Sequence, residues 1–187
     1  MQPSNSLDAL RRALDAPDGF DRSRHRDRTE GLRTSFPHTV RYHELVDGST
    51  CLTYALGLFR DRTYLAIAGS CFNYQIFAGK RFVQWLMEKG HLKEVARPAP
   101  GCLVFYFAGE VWQHAGTGVS NERVLSQWGT FPVYEHEAFE IPARYGNQVR
   151  YFAMPGSERI RDLFVVFAKH HYGITEEEIA EAIQYEG

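Results

Sequence analysis

The sequence predicts an α+β domain in which helical segments at both ends of the chain flank an antiparallel sheet. Apolar residues recur at helical spacing before residue 90 and again after residue 156. Between them, residues 102–153 are rich in β-branched and aromatic side chains and are divided by short turns. Helices and strands that are segregated along the chain in this way are typical of α+β folds.

Composition limits the classes of function. The 187 residues suit one domain with a substantial core, and 44% hydrophobic against 24% charged residues exclude a disordered chain. With 21 Lys+Arg against 23 Asp+Glu, no basic excess is present to hold a nucleic-acid backbone. The longest apolar run, 102–108, is too short to cross a membrane. We therefore expect neither nucleic acid nor a membrane as a partner.

The amino terminus and the cysteines bear on the cellular compartment. Met1–Asp8 has neither the basic nor the apolar region of a secretory signal peptide. Cys51, Cys71 and Cys102 form an odd set without C-x-x-C spacing, which favours free thiols over a disulfide framework or a zinc site. We expect a cytoplasmic protein without metal or cofactor, while export by machinery that reads no cleavable signal stays open.

Three helices are predicted ahead of the sheet. Ser6 caps a short helix to Ala16 whose apolar stripe is Leu7, Leu10 and Leu14, whereas residues 18–34, with cancelling charges, predict a solvated loop. After the turn at 47–50, Ser49 or Thr50 caps a helix over 51–59. A further helix is predicted over 74–89, with Gly90 as its stop.

The remaining elements follow in order. The predicted strands cover 102–108, 111–119, 122–128 and 148–153. Apolar residues over 160–168 recur at helical spacing, and Thr175–Glu178 is a capping box that opens the last helix. We divide the chain into an amino-terminal helix and charged loop (1–40), a catalytic core (41–155) and a carboxyl-terminal helical extension (156–187).

Cys51 is the strongest candidate nucleophile. A thiol at a helix start beside an imidazole becomes reactive, and the unpaired N–H groups there can stabilise an oxyanion. Cys71, in Gly69-Ser-Cys-Phe72, is the rival nucleophile, although its apolar surroundings favour burial. Cys102, within a strand, is expected in the core, and a structural role is also the alternative for Cys51.

His114 is the best-placed base among the eight histidines, because a strand would hold it rigidly on one face with Trp112 and Gly116. Across the following hairpin, Ser126 or Gln127 would orient its second ring nitrogen, depending on register, and Trp128 would shield that bond. The fallback orienters are Glu135, His136 and Glu137, which come later in the chain than Trp128.

Together these segments resemble papain-like cysteine hydrolases of the NlpC type. Pro100-Gly-Cys-Leu-Val-Phe-Tyr-Phe107 is similar to their P-G-D-L-V-F-F strand, and Gln113-His-Ala-Gly116 to their H-V-G-I strand. The segment 126–130 is similar to the N-S-W-G-T segment of papain, and Ser49–Ala55 resembles the nucleophile helix.

By this resemblance, Cys51 is the nucleophile, His114 the base, Ser126 the third residue and Trp128 the shield. The chain departs from the pattern in having Cys102 in place of the aspartate and Ser126 in place of a histidine, asparagine or acid. No glutamine shortly precedes Cys51 to complete an oxyanion hole, and Tyr42 or His43 would stand in for it.

The predicted function is that of a cysteine-dependent hydrolase, a peptidase or amidase or a related acyl transferase or deamidase, acting on a peptide or amide. Two alternatives stay open. The neutral third residue favours a catalytically inactive papain-like domain that serves as a protein-interaction module. The same catalytic core would also suit a delivered toxin or effector. In each case the carboxyl-terminal helices offer a surface for a protein partner.

Overall fold

A seven-stranded sheet organises the chain in the computed structural model, which describes residues 3–15, 21–69 and 76–185. The sheet has the order β1-β6-β5-β4-β3-β7-β2, and every neighbouring pair is antiparallel. The strands are β1 Arg41–Glu44, β2 Glu94–Val95, β3 Leu103–Ala108, β4 Val111–Gly118, β5 Arg123–Gln127, β6 Val133–Glu137 and β7 Gln148–Phe152.

Helices cover the sheet from both sides. They are α1 Pro3–Leu14, α2 Arg22–Gly31, α3 Cys51–Ala55, α4 Arg62–Gly69, α5 Lys80–Glu88, α6 Ser157–Tyr172 and α7 Glu176–Tyr185, with 3-10 turns at 32–34, 58–60 and 143–145. In the part of the chain that the structure describes, none of these helices is long and apolar enough to span a membrane.

Alternation along β3 divides the core into two apolar clusters. We call the two sides of the sheet face A and face B. On face A, Leu103, Phe105 and Phe107 of β3 pack with buried side chains of α3 to α7. On face B, Val104 and Tyr106 pack with Leu10 and Leu14 of α1. Residues opposite each other on antiparallel strands share a face, so Ala115, opposite Phe105, lies on face A, and His114, opposite Tyr106, lies on face B.

The α+β class is confirmed, and so are the four predicted strands, within one or two residues at their ends. A helix does begin at Cys51, with Thr50 as its cap, although it ends at Ala55. The last two predicted helices are also present. The capping box holds, since the Glu178 N–H donates to the Thr175 hydroxyl and the Thr175 N–H donates to the Glu178 carboxylate.

Three further predictions about elements were wrong. The loop predicted over 18–34 is wrong for its described part, because α2 starts after an Asp21 cap that accepts the N–H groups of Ser23 and Arg24, while residues 18–20 lie outside the described ranges. The first helix starts at Pro3 and is not capped at Ser6. The helix expected over 74–89 begins at Lys80, since residues 76–79 are not helical, and residues 74 and 75 lie outside the described ranges. Four elements were not predicted at all: α4, β1, β2 and β6.

Candidate functional site

The turn before Cys51 is fastened to both its own helix and the sheet. The Thr53 N–H donates to the Thr50 hydroxyl, and the Thr50 N–H donates to the Thr53 hydroxyl, so the start of α3 is closed by a capping box. The Ser49 hydroxyl donates to Gln127 Oε1 at 2.6 Å, and Gln127 Nε2 donates to the Val46 carbonyl at 3.2 Å. The buried Gln127 carboxamide therefore positions Cys51 from the neighbouring strand.

The Cys51 thiol lies where two strands separate. The β4–β5 pairing consists of Gly118 with Val124 and Thr117 with Leu125, and it does not continue to Ala115. Backbone N–H groups of Ala115, Leu52 and Cys51 itself are directed at the sulfur. These donors favour a thiolate, but burial has the larger effect and raises the pKa of Cys51 to about 11. At neutral pH the side chain is therefore a thiol.

This pKa predicts the alkylation behaviour of Cys51. Because the thiolate is the reactive form, the rate with iodoacetamide is expected to rise about tenfold per pH unit from pH 7 and to level off only near pH 11. Quenched time points with peptide mapping by mass spectrometry measure this rate separately at Cys51 and at Cys102. A rate at Cys51 that levels off below pH 8 would show a thiolate–imidazolium pair and would contradict the expectation.

His114 precedes Ala115, whose N–H is directed at the Cys51 sulfur, and the His114 ring is fully buried. Neither ring nitrogen has a hydrogen-bond partner, so no hydrogen bond joins it to the thiol. The imidazole instead stacks on the Tyr145 ring, with centroids 3.8 Å apart and an angle of 9° between the planes. Burial, assisted by the charges of His136 and Arg144, lowers the pKa of His114 well below its ordinary value. The imidazole is therefore neutral at pH 7, which is the form that a general base requires.

Ser126 does not hydrogen-bond to His114. Its hydroxyl donates to His136 Nε2 at 2.7 Å and accepts from Trp128 Nε1–H at 3.0 Å, while His136 Nδ1 donates to the Glu137 carbonyl at 2.7 Å. Burial lowers the pKa of His136 to about 4, which keeps this ring neutral as well. Ser126, Trp128 and His136 are completely buried, so they form an internal polar chain.

The other predicted site residues are placed as follows. Gln127 bonds Ser49 and Val46 and does not orient His114. The Trp128 ring packs against His25, Tyr134 and His136. Tyr42 and His43 are exposed on β1, which β6 and β5 separate from β4. Glu135 forms an ion pair with Arg123 at 2.9 Å. Cys71 lies outside the described residues, and Cys102 is buried immediately before β3.

Sequence reasoning missed Tyr145, which ends the 3-10 turn before β7. Burial raises the pKa of Tyr145 to about 12; the Arg144 guanidinium opposes this shift, and the Cys51 thiolate adds to it. Tyr145 thus stacks on His114 and lies within electrostatic reach of the thiol. The only local signal in the sequence is the Tyr145-Gly146 pair, which is typical of any turn.

The candidate site therefore consists of Cys51, His114 and Tyr145, held by α3, β4 and the turn before β7. Over residues 3–15, 21–69 and 76–185, no three His, Cys, Asp or Glu side chains are grouped so that they could hold a metal ion. No protein-family model matches the chain, and comparison with curated proteins and with solved structures likewise finds no match.

Proposed function

We propose that the protein is a cysteine hydrolase of the papain-like, NlpC-related type that acts on an amide or ester, with Cys51 as nucleophile and His114 as base. One observation carries the proposal: the Cys51 thiol meets the N–H of Ala115, and the adjacent His114 has two buried, unpartnered ring nitrogens. A buried polar group without a partner costs about 1–3 kcal/mol. Buried polar groups without a partner are few in native proteins, and a role in proton transfer would explain why the His114 ring nitrogens have none.

The two pKa shifts favour one form of the mechanism. Burial favours the neutral thiol and the neutral imidazole, so the resting pair is not an ion pair. Although α3 packs on face A, Cys51 lies at the gap between β4 and β5 and acts on the pKa of Tyr145 in the face B cluster, which supports an approach of Sγ to His114. His114 acts as a general base that takes the Sγ proton while the sulfur attacks the carbonyl carbon. The charge that develops on the carbonyl oxygen is stabilised by N–H groups at the start of α3.

The second half of the reaction returns the enzyme to its starting state. The carbon–nitrogen or carbon–oxygen bond breaks, the leaving group takes the proton from His114, and a thioester remains on Cys51. Water then attacks the thioester with His114 again as base, which releases a carboxylic acid and the thiol. An amine acceptor in place of water would give acyl transfer, and a primary amide substrate would give deamidation.

A second candidate is a non-catalytic domain that binds a protein partner. Two observations favour it: His114 has no hydrogen-bonded orienter, and the pKa of Cys51 is raised by burial. In that case the thiol is a structural side chain, and no acyl group is transferred to it from an activated ester.

The test uses p-nitrophenyl acetate at pH 7, with release of p-nitrophenolate and intact mass as readouts. We expect one acetyl group, mapped to Cys51, and its loss in Cys51→Ala. His114→Gln is expected to lower the acylation rate about 100-fold or more, which is the usual contribution of a general base. Cys102→Ala and His170→Gln, the latter at an exposed site, are the matched controls and retain the rate. Acetylation elsewhere only, or an unchanged rate in His114→Gln, would favour the binding domain.

A further inference from the structure

We infer that Tyr145 is the positioning residue of His114, whose ring it holds by face-to-face stacking in place of a hydrogen-bonded orienter. The inference rests on the proposed function, because it assigns a role within the same site. His114 needs such a residue, since neither of its ring nitrogens is fixed by a hydrogen bond and a base must be held within a narrow range of geometry.

The geometry of the contact suits this role. The Tyr145 ring is nearly parallel to the imidazole, at 9°, and the centroids are 3.8 Å apart. A second ring, Tyr106 on β3, is tilted by 43° with its centroid 5.5 Å from that of His114. Stacking fixes the plane of the imidazole but occupies neither nitrogen. Both nitrogens are therefore unoccupied, and one of them can accept the thiol proton. A hydrogen-bonded orienter would instead occupy one of the two nitrogens.

The turn that carries Tyr145 is itself anchored on two sides. From α1, Arg11 donates to the carbonyls of Ile141 and Gly146, and its guanidinium is buried. From β3, the Phe107 carbonyl accepts the Asn147 N–H at 3.0 Å. These contacts bracket Tyr145 closely in sequence, so they limit the movement of its ring.

An ion pair ties the same turn to the end of α1. The Arg144 N–H donates to Asp15 Oδ2 at 2.8 Å, and Arg144 Nη1 lies 3.0 Å from Asp15 Oδ1. The pair is partly exposed, so its loss would loosen the turn without opening the core. This makes Asp15 a site at which the position of Tyr145 can be altered while both rings of the stack are kept.

Removing the ring should also change the titration of His114. The rings of Tyr106 on β3 and Tyr145 in the turn contact His114, and the charges of His136 on β6 and Arg144 in the turn act on its pKa. Arg11 of α1 acts on Tyr106, and Cys51 of α3 acts on Tyr145. Water admitted by Tyr145→Leu would relieve the desolvation that lowers the pKa of His114. The pH below which protonation of His114 slows acylation is then expected to rise towards 6.5.

The experiment compares Tyr145→Phe with Tyr145→Leu in the full chain. Tyr145→Phe keeps the stacked ring, and the acetylation rate of Cys51 with p-nitrophenyl acetate is expected to stay well above that of Tyr145→Leu. Tyr145→Leu is expected to lower this rate about 100-fold, the effect of a misplacement of about 1 Å. Titration of 13C-labelled histidine by NMR follows His114 in each protein, with His114→Gln used to assign its resonance.

The outcomes separate the two claims. If wild-type Cys51 is never acetylated, the proposed function fails, and the NMR titration alone then decides whether the Tyr145 ring holds His114. Full activity in Tyr145→Leu, or an equal loss in Tyr145→Phe, would overturn the inference, the second because the hydroxyl would then be responsible. If Tyr145→Leu does not fold, Asp15→Ala takes its place, with a rate below wild type expected. Its matched control is Asp162→Ala, which removes a similar exposed ion pair on α6.

Discussion

Gly146→Ala is expected to destabilise the protein by about 3 kcal/mol or more. Gly146 has φ +95°, a conformation that side chains rarely adopt, so an alanine there is strained even where space is available. Space is not available, because an added Cβ would lie 2.1 Å from the Phe107 carbonyl oxygen and 2.3 Å from its carbon. Both atoms belong to the backbone of β3, which cannot move aside without disturbing the sheet.

Urea unfolding at pH 7 followed by circular dichroism measures this effect. The matched control is Gly31→Ala, since Gly31 has φ −63° at the end of α2 and nothing lies within 4 Å of its added Cβ. That substitution is expected to be neutral or to stabilise the protein by up to about 1 kcal/mol. Equal unfolding free energies for the two variants would show that the turn around Gly146 adapts, and would weaken the argument that Tyr145 is rigidly held.

Ser126→Ala is expected to reduce the free energy of unfolding by about 2–5 kcal/mol, because two buried groups lose their partner at once. The Trp128 Nε1–H would have no acceptor, and His136 Nε2 would have no donor. All three residues are completely buried, so water cannot replace the hydroxyl without opening the core. The loss should appear in stability and not in the acetylation rate of folded protein.

Ser35→Ala, at an exposed position, is the matched control and should leave the unfolding free energy nearly unchanged. The comparison also decides between two roles for Ser126. If it were the orienter that the resemblance implies, Ser126→Ala would slow acetylation of Cys51 while the unfolding curve stayed in place. That result would mean that the Ser126–His136 hydrogen bond is exchanged for one to His114 during the reaction.

Local patterns were sufficient to predict four strands, β3, β4, β5 and β7, and the start of α3. The run 102–108 is apolar throughout because β3 is buried on both faces, and such runs are readable from composition alone. Thr50 precedes Cys51 as a capping residue, so this helix start is encoded within four residues. The predicted helix end at 59 was wrong because Gly57 adopts φ +70° after Ala55.

The second helix could not be predicted from the same patterns. The segment 22–31 has no apolar stripe, and its buried side chains are His25 and Thr29. His25 is buried because it stacks on Phe131, with centroids 4.1 Å apart, and its Nδ1 is 2.8 Å from the Tyr134 hydroxyl. Both partners are more than a hundred residues away along the chain, so no local window contains the signal.

In the candidate site, sequence reasoning predicted that His114 lies on a strand, which is β4, but not which side chain its ring would contact. The adjacency of Cys51 to β4 follows from a helix start packed on a sheet. The choice between Ser126 and Gln127 depended on register, and the observed pairing directs Ser126 to face B and Gln127 towards Ser49. Neither side chain bonds His114, and Tyr145 reaches it from a turn whose place no periodicity indicates.

The contacts of α1 have a consequence for how the chain is made. Arg11 bonds Gly146, 135 residues later, and Leu10 and Leu14 pack on side chains that follow residue 100. A helix of 12 residues is only marginally stable alone. Until the strands after residue 100 have left the ribosome, α1 lacks its sheet partners, and the contacts within its reach are those of nearby residues such as Arg28, which donates to the Ala13 carbonyl. α1 is thus synthesised well before the sheet on which it packs, and it is stabilised late. Until it docks, an apolar sheet face is open to aggregation and to chaperones.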